Sequence, residues 1–319
     1  MAIDAREEVR LQDSTQWIRI RGADASNPVL LLIQQGPGLP MMNEAQRFQR
    51  LLGFEQEFTV VYWDQRGCGR SLRKAGGTDE VSIELMVADT VCLLEWLRDR
   101  FGEEIFVIGF SFGGAIGAYA AAQRPDLVET LVVVGMDIDG AAAGASAYDF
   151  ALDAALKGGK RRAIRQLEAI GPPPHLELKQ FSTRVRWATN FGGVTTHETY
   201  STLARGLLAG TVRSPDYSAG DLVRTLRGMS ATQAALLFDL ASMDLTRTLL
   251  RLEVPFVMAQ GRLDQVAPGE AAERFIVSLE APSKQLVWFE QSAHTPHFEE
   301  PDKFRDLVMR VRAKEPADT

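Results

Sequence analysis

Ser111 stands between Gly109 and Gly113 in a Gly-x-Ser-x-Gly pattern, directly after the apolar run at residues 105–108. On a tight strand-to-helix turn, such a serine is held where its hydroxyl can attack a carbonyl carbon. The two glycines leave room for the strand and helix backbones to approach each other. A glycine-rich turn of a nucleotide-binding protein is the alternative, but neither Gly-x-Gly-x-x-Gly nor Gly-x-x-x-x-Gly-Lys-[Ser/Thr] occurs at this turn. The pattern therefore predicts Ser111 as a catalytic nucleophile.

A serine hydroxyl needs a histidine to accept its proton, and that histidine needs a carboxylate to orient it. His294 and His297 lie just beyond the last strand-like run. We predict His294 as the general base because it stands nearer the strand end, with His297 as the alternative or as a surface or supporting residue. Asp264 is the first carboxylate after the preceding run. We predict that it orients His294, while a solvated loop aspartate is the other interpretation.

Composition and charge restrict the partners. The chain has 319 residues, of which 45% are hydrophobic and 24% charged, as in a soluble globular protein with a sizeable core. A net charge of −7 and a pI near 5.3 argue against nucleic acid or an anionic membrane as partner. No run is long and apolar enough to span a bilayer and the charged amino terminus lacks a signal-peptide core, so we expect a cytoplasmic protein. Cys68 and Cys92 form no metal-ligand pattern, and we expect neither a metal nor another cofactor.

Apolar runs alternate with helical patterns, which predicts an α/β fold with a mostly parallel, doubly wound sheet. The predicted strands cover residues 17–20, 29–33, 59–63, 105–109, 131–134, 254–259 and 285–289. Ser82 is placed to cap a helix that begins at Ile83. Residues 141–251 show helical patterns without a clear strand. We expect them to form a cap over a core made of residues 1–140 and 252–319, with an independent tethered helical domain as the alternative.

Several motifs together resemble the proline iminopeptidase branch of the α/β-hydrolase superfamily. They are Trp63-Asp-Gln-Arg-Gly-Cys-Gly-Arg-Ser71, Gly36-Pro37-Gly38, Gly-Arg-x-Asp at 261–264, and His294 with Glu299-Glu300-Pro301. The resemblance covers the sheet scaffold and implies an α/β-hydrolase fold with an inserted helical cap. It implies Ser111 as nucleophile, Asp264 as orienting acid and His294 as base. It also implies an oxyanion hole made by the backbone N–H of Phe112 and by one from the loop at residues 35–38.

The chain departs from that branch at three places. Gln34 and Gln35 replace the usual His-Gly, and a side chain at position 35 narrows the accessible φ or places an amide donor near the substrate carbonyl. Phe112 replaces a Trp. The segment around Trp187, at residues 184–190, is basic and lacks the acid that would bind an amino terminus. We expect Gln34, Phe110 and Trp187 to contact the substrate, with Gln35, Gly36 and Phe112 at the oxyanion hole.

The expected function is that of a serine hydrolase. It would cleave an ester or amide bond of a small, largely apolar molecule or short peptide through an acyl-enzyme. A prolyl aminopeptidase is the alternative that the resemblance implies. A ligand-binding or signalling protein of low turnover is a second alternative, suggested by Gln34 and Gln35. A cofactor-free oxidase or a haloperoxidase-like activity of the same three residues is a third. The sequence leaves the oligomeric state open.

Overall fold

A computed structural model describes residues 1–72 and 80–315. These residues form eight strands, β1 (Ile3–Leu11), β2 (Ser14–Gly22), β3 (Val29–Ile33), β4 (Thr59–Asp64), β5 (Ile105–Phe110), β6 (Val128–Val134), β7 (Phe256–Gly261) and β8 (Lys284–Phe289). The α-helices of the same residues are α1 (Ala45–Leu52), α2 (Ile83–Phe101), α3 (Phe112–Gln123), α4 (Gly140–Lys157), α5 (Arg161–Ile170), α6 (Leu178–Asn190), α7 (Tyr200–Arg213), α8 (Ala219–Ser242), α9 (Leu245–Thr248), α10 (Gly269–Ser278), α11 (Pro296–Glu299) and α12 (Pro301–Arg312).

The strands form one sheet in the order β1-β2-β4-β3-β5-β6-β7-β8. Neighbouring strands from β4 to β8 pair in parallel, whereas β1 and β2 are antiparallel to their neighbours. The central strands β3, β4 and β5 are buried along their whole length, as expected where helices cover both faces of a parallel sheet. This arrangement confirms the predicted α/β-hydrolase fold with a mostly parallel, doubly wound sheet.

The strand β1 was missing from the sequence prediction. It lies at the sheet edge and pairs with β2 through a two-residue turn between Leu11 and Ser14. Its first six residues alternate between exposed and half-buried positions. Because one face of an edge strand meets water, its charged side chains hide the apolar signal by which a strand is usually recognised.

Apolar side chains on the two faces of the sheet form two separate cores. Alternation along β5 illustrates the division, since Ile105 and Val107 pack on one face while Phe106 and Ile108 pack on the other. The helix α2 belongs to the first core and begins as predicted, with Ser82 Oγ accepting the N–H of Leu85 at 3.2 Å.

Helices α4 to α9 lie between β6 and β7 in the chain. Apolar side chains of α4, α5 and α6 form a third cluster of their own. The hydroxyl of Thr232 on α8 donates to the carbonyl of Gly67 at 3.0 Å, so this helix contacts the loop that follows β4. The predicted division into a core and a cap at residues 141–251 stays a prediction.

Candidate active site

Ser111 lies on the sharp turn between β5 and α3. Its φ of +50° is in the left-handed region, which non-glycine residues rarely adopt. A Cβ on Gly109 would lie 2.5 Å from the carbonyl oxygen of Gly113, and a Cβ on Gly113 would lie 2.2 Å from that of Gln34. Both positions therefore require glycine. The turn projects the serine hydroxyl beyond the carboxyl end of β5, as on a nucleophile elbow.

His294 bridges Ser111 and Asp264. Its Nε2 lies 2.9 Å from Ser111 Oγ, and its Nδ1 lies 2.8 Å from Asp264 Oδ2. An ionised carboxylate only accepts hydrogen bonds, so the proton of the neutral imidazole is on Nδ1. The lone pair on Nε2 then faces the serine hydroxyl. The structure thus brings together the three residues predicted for the nucleophile, base and acid, from loops after β5, β7 and β8.

The carboxylate of Asp264 is held in place by its own loop. Its Oδ1 accepts the backbone N–H groups of Val266 at 2.8 Å and Ala267 at 2.9 Å. The side-chain amide of Gln260, in β7, lies 3.3 Å from Oδ2. With these donors in place, the carboxylate can orient the imidazole of His294 without rotating away from it.

Two opposing effects act on the pKa of His294. Burial lowers this pKa, while the charge of Asp264 and its hydrogen bond raise it, and the charge of Asp137 raises it further. The net result is a pKa above the ordinary value of 6.5. An imidazole that becomes a stable cation on accepting a proton is suited to the role of general base.

His297, the alternative base, lies elsewhere. Its side chain is 1% exposed and packs between the rings of Phe48, Phe110 and Phe298, with centroids 5.8, 4.5 and 4.1 Å away. Burial holds the pKa of His297 well below its usual range. Phe110, a predicted substrate contact, is 1% exposed and belongs to the same aromatic cluster in the core. These contacts give Phe110 a packing role.

The backbone just before the predicted oxyanion loop lies against the nucleophile turn, since a Cβ on Gly113 would lie 2.2 Å from the carbonyl oxygen of Gln34. Phe112 is the first residue of α3, so its N–H has no partner within the helix. The left-handed φ values fall on Gly36, at +67°, and Gly38, at +78°. Gln35 does not adopt a positive φ, so its side chain does not strain the loop. A side chain at position 35 is therefore compatible with the path of this backbone.

Gln34 is buried directly after β3. Its Oε1 accepts the thiol proton of Cys68 at 3.2 Å. Within residues 1–72 and 80–315, its Nε2 is buried without a hydrogen-bond partner. Trp187 lies in α6, where its Nε1 donates to Gln166 at 3.0 Å and its ring stacks on Phe191. The described contacts of Trp187 are with the helical segment, so its role as a substrate contact stays a prediction.

Asp137 is a residue that the sequence analysis missed. It follows β6, and its Oδ1 lies 3.4 Å from Ser111 Oγ. Burial raises its pKa to about 6. The sequence does contain a signal for Asp137, because polar residues just after parallel strands gather at the carboxyl edge of the sheet. Gly135-Met136-Asp137 follows the strand next to β5 in this way.

The helical segment is bonded to the two loops that carry Asp264 and His294. The N–H of His294 donates to the carbonyl of Val194, and the N–H of Gln265 donates to that of Gly193, both at 3.0 Å. Glu299 adds a side-chain link between the segment and the His294 loop. Its Oε1 accepts the N–H and the hydroxyl of Thr196, both at 2.6 Å, and its Oε2 accepts the N–H of Ala293 at 2.9 Å.

Residues 1–72 and 80–315 offer neither a cluster of metal ligands nor a membrane-spanning helix. Within those ranges, no group of three or more His, Cys, Asp or Glu side chains is arranged to hold a metal ion. No helix in the same ranges combines the length and apolar character needed to cross a bilayer.

Known proteins resemble the chain over almost its whole length. The probable aminopeptidase YbaC of Bacillus subtilis is 29% identical over 313 residues, which cover 97% of this chain and 96% of that protein. A pimeloyl-(acyl-carrier protein) methyl ester esterase of Vibrio vulnificus is 24% identical over 287 residues, which cover 88% of this chain and 96% of the esterase.

Solved structures give the same picture of the fold. A proline iminopeptidase-related protein of Thermus thermophilus matches with a TM-score of 0.69 and 19% identity, over 98% of both chains. The proline iminopeptidase of Mycobacterium smegmatis matches with a TM-score of 0.65 and 18% identity, over 97% of this chain and 98% of that one. Both structures share the α/β-hydrolase fold that the sequence predicts for this chain.

The sequence model of the alpha/beta hydrolase family matches residues 31–307, from β3 into α12. This range contains the Ser111 turn, the loops of Asp264 and His294, and the helical segment between β6 and β7. With such a match across most of the chain, and with peptidases and esterases among its relatives, the protein belongs to the alpha/beta hydrolase family and is a hydrolase.

Proposed function

We propose that this protein is a serine hydrolase that cleaves an ester or amide bond of a small molecule or short peptide through an acyl-enzyme. The observation that carries the proposal is the placement of His294. Its Nε2 lies 2.9 Å from Ser111 Oγ, while its Nδ1 is held by Asp264. Nucleophile, base and orienting acid thus lie within hydrogen-bond reach of one another.

In the proposed reaction, His294 Nε2 accepts the Ser111 proton as Oγ attacks the carbonyl carbon. The oxyanion that forms accepts the N–H of Phe112 at the start of α3 and an N–H from the loop at residues 35–38. His294 then donates its proton to the leaving group, which departs and leaves an ester on Ser111. Water attacks that ester with His294 again as base; the Oγ–acyl bond then breaks, the acid leaves and His294 returns the proton to Ser111 Oγ, which restores the free enzyme. Helices α4 to α9 act as a cap over the site.

Labelling with a fluorophosphonate probe tests the proposed nucleophile. Wild-type protein should be labelled at Ser111 and should hydrolyse short acyl p-nitrophenyl esters, while Ser111→Ala should lose both properties. Full turnover by Ser111→Ala on every accepted substrate would refute the proposal. An unlabelled, inactive wild type would instead favour a low-turnover binding protein on a hydrolase scaffold.

An aminopeptidase is the second candidate, and Asp137 is the observation that favours it. A carboxylate 3.4 Å from the attacking oxygen suits a substrate with a positive charge near its scissile bond. The name of the Bacillus subtilis relative points to the same activity. Release of p-nitroaniline from proline p-nitroanilide would support a prolyl specificity. Activity confined to acyl esters would exclude it.

A further inference from the structure

Arg184 brings a positive charge from the helical segment toward the nucleophile. It lies in α6, and its guanidinium packs on α4 at Gly144, where a Cβ would lie 3.1 Å from Arg184 Nη1. The helix α4 begins just after Asp137 in the chain. The charges of Arg184 and Asp137 act on each other, and Asp137 Oδ1 lies 3.4 Å from Ser111 Oγ. The guanidinium is therefore within electrostatic reach of the group beside the nucleophile.

His175 holds one nitrogen of this guanidinium. The imidazole is 3% exposed, and its Nε2 lies 2.9 Å from the carbonyl oxygen of Gly171. A carbonyl only accepts hydrogen bonds, so the ring proton is on Nε2 and Nδ1 is an acceptor. Arg184 Nη1 donates to this Nδ1 at 3.2 Å. Burial and the charge of Arg184 lower the pKa of His175, which keeps the ring neutral and able to accept the bond.

The other edge of the guanidinium, formed by Nε and Nη2, is not used by the protein. Among the described residues, Nε of Arg184 is buried without a hydrogen-bond acceptor and Nη2 makes no hydrogen bond. No carboxylate in the same part of the chain forms an ion pair with Arg184. The N–H groups of Nε and Nη2 point in parallel, as required to bind both oxygens of a carboxylate. This edge is therefore suited to an anion from outside the chain.

Burial makes an unpaired guanidinium unfavourable. It lowers the pKa of Arg184 to about 10, although the charge of Asp137 acts in the opposite direction. Burial likewise raises the pKa of Asp137 to about 6, although the charge of Arg184 acts against this shift. Neither group compensates for the burial of the other. An anion bound to the free edge of Arg184 would supply the missing compensation.

Other arginines with a buried Nε have partners that Arg184 lacks. Arg19 and Arg70 form ion pairs with aspartates at 3.1 and 3.5 Å. Arg186, two residues further along α6, donates its Nη2 to Gln166 Oε1 at 2.9 Å. Its edge is therefore engaged within the helical segment, whereas that of Arg184 is not.

The charge of the helical segment also favours an anionic ligand. Residues 141–251 contain 14 Lys and Arg but nine Asp and Glu, which gives a net charge of +5. The whole chain has a net charge of −7, so the remaining residues are acidic. Such a separation of charge attracts anions toward the basic segment.

We propose that Arg184 binds a carboxylate of the substrate through Nε and Nη2, and that His175 positions it for this contact. The inference rests on the proposed serine hydrolase function and assigns its substrate class. The substrate is an ester or amide that has a carboxylate in addition to the bond attacked by Ser111. This carboxylate belongs to the acyl part or to the leaving group, as does the free carboxyl terminus of a short peptide. Arg184 is then a specificity-determining residue.

Two pairs of substrates test the assignment. Hydrogen adipate and methyl adipate p-nitrophenyl esters differ by a charge on the acyl part. The p-butyryloxy derivatives of benzoate and benzamide differ by a charge on the leaving group. We would measure kcat/KM and divide it by the rate constant of alkaline hydrolysis, which corrects for intrinsic reactivity. Wild-type protein should prefer the charged member of at least one pair about 10- to 100-fold, the effect of a hydrogen bond between charged groups.

Substitutions assign the preference to Arg184. Arg184→Met should abolish it, and Arg184→Lys, which keeps the charge without the parallel donors, should retain only part of it. His175→Phe should lower the preference mainly through a higher KM for the charged member. A loss confined to kcat would contradict its positioning role. Arg186→Met is the matched control, because it makes the same chemical change in the same helix and should keep the wild-type preference.

Three results would overturn the assignment. They are a wild type without charge preference in either pair, an Arg184→Met variant with the wild-type preference, and an equal loss of preference in Arg186→Met. Fluorophosphonate labelling separates the two proposals. A labelled Ser111 without charge preference refutes only the role of Arg184, whereas an unlabelled, inactive wild type refutes the hydrolase proposal and the assignment with it.

Inhibition of the wild-type enzyme gives a readout that does not depend on the folding of a variant. Adipate should inhibit the hydrolysis of p-nitrophenyl butyrate more strongly than monomethyl adipate, which has the same acyl chain and one charge fewer. Equal inhibition by the two compounds would contradict a carboxylate site at Arg184.

Discussion

The backbone N–H of His294 donates to the carbonyl of Val194 at 3.0 Å, which joins the proposed base to the helical segment. Val194 lies between α6 and α7, far from His294 in the chain. The position of the imidazole therefore depends on how that segment sits on the sheet. Changes within helices α4 to α9 can reach the reaction through this bond as well as through substrate contacts.

Glu299→Gln should weaken the connection between the helical segment and the His294 loop. The amide nitrogen of glutamine cannot accept, so either the bonds from Thr196 or the bond from Ala293 are lost. We expect kcat/KM to fall about tenfold and the free energy of unfolding to fall by about 1–3 kcal/mol. Steady-state kinetics and chemical denaturation would measure the two effects.

Glu300→Gln is the control for Glu299→Gln. In the described residues, the Glu300 side chain accepts only from the N–H of Gln291 at 3.1 Å and the hydroxyl of Ser292 at 2.6 Å, both in its own loop. The Glu300→Gln substitution should therefore leave the attachment of the helical segment unchanged. Equal losses of activity in the two variants would contradict the link assigned to Glu299.

Substitution of His294 and His297 should have opposite outcomes. His294→Gln removes the acceptor of the serine proton, and we expect kcat to fall by about 10⁴-fold or more. His297→Phe keeps a ring in the aromatic cluster and should change kcat less than about tenfold. Turnover on a p-nitrophenyl ester measures both. A comparable loss in the two variants would show that the base had been misassigned.

The pH dependence of kcat/KM should report His294. The imidazole must be neutral to accept a proton, so activity should rise with pH through an apparent pKa above 6.5, its ordinary value. Asp264→Asn removes the main charge that raises this pKa. The rising limb of the variant's pH profile should therefore move to lower pH, while kcat falls. Asp137→Asn should shift the limb in the same direction by less. An unchanged limb in Asp264→Asn would contradict this account.

Asp137→Asn should also stabilise the protein at neutral and alkaline pH. The pKa of Asp137 is raised from 3.8 to about 6, so the ionised group disfavours the folded state. The penalty, about 2–3 kcal/mol, is complete above about pH 6 and absent below about pH 4. The Tm of the variant should therefore exceed that of the wild type at pH 8 and approach it at pH 4. A difference independent of pH would rule out this cause.

Sequence patterns predicted the parallel strands and the set of Ser111, Asp264 and His294. Buried strands, and the residues at their carboxyl ends, leave signals in the local sequence. Other features have no local signal. The charged edge strand β1 does not look like a strand, and the contact between Asp137 and Ser111 joins two strands that are adjacent only in the sheet. Phe110 was expected at the substrate but lies in the core, because residue alternation along β5 turns its ring toward His297.

A Cβ added at Gly113 would collide with backbone atoms of Ile33 and Gln34, the nearest being the carbonyl oxygen of Gln34 at 2.2 Å. The alignment of the nucleophile turn with the predicted oxyanion loop is therefore encoded in main-chain shape. The side chains at positions 34 and 35 take no part in this main-chain contact, so the Gln34-Gln35 pair is compatible with the turn that carries Ser111. Substitutions at these two positions should therefore leave the backbone of the nucleophile turn in place.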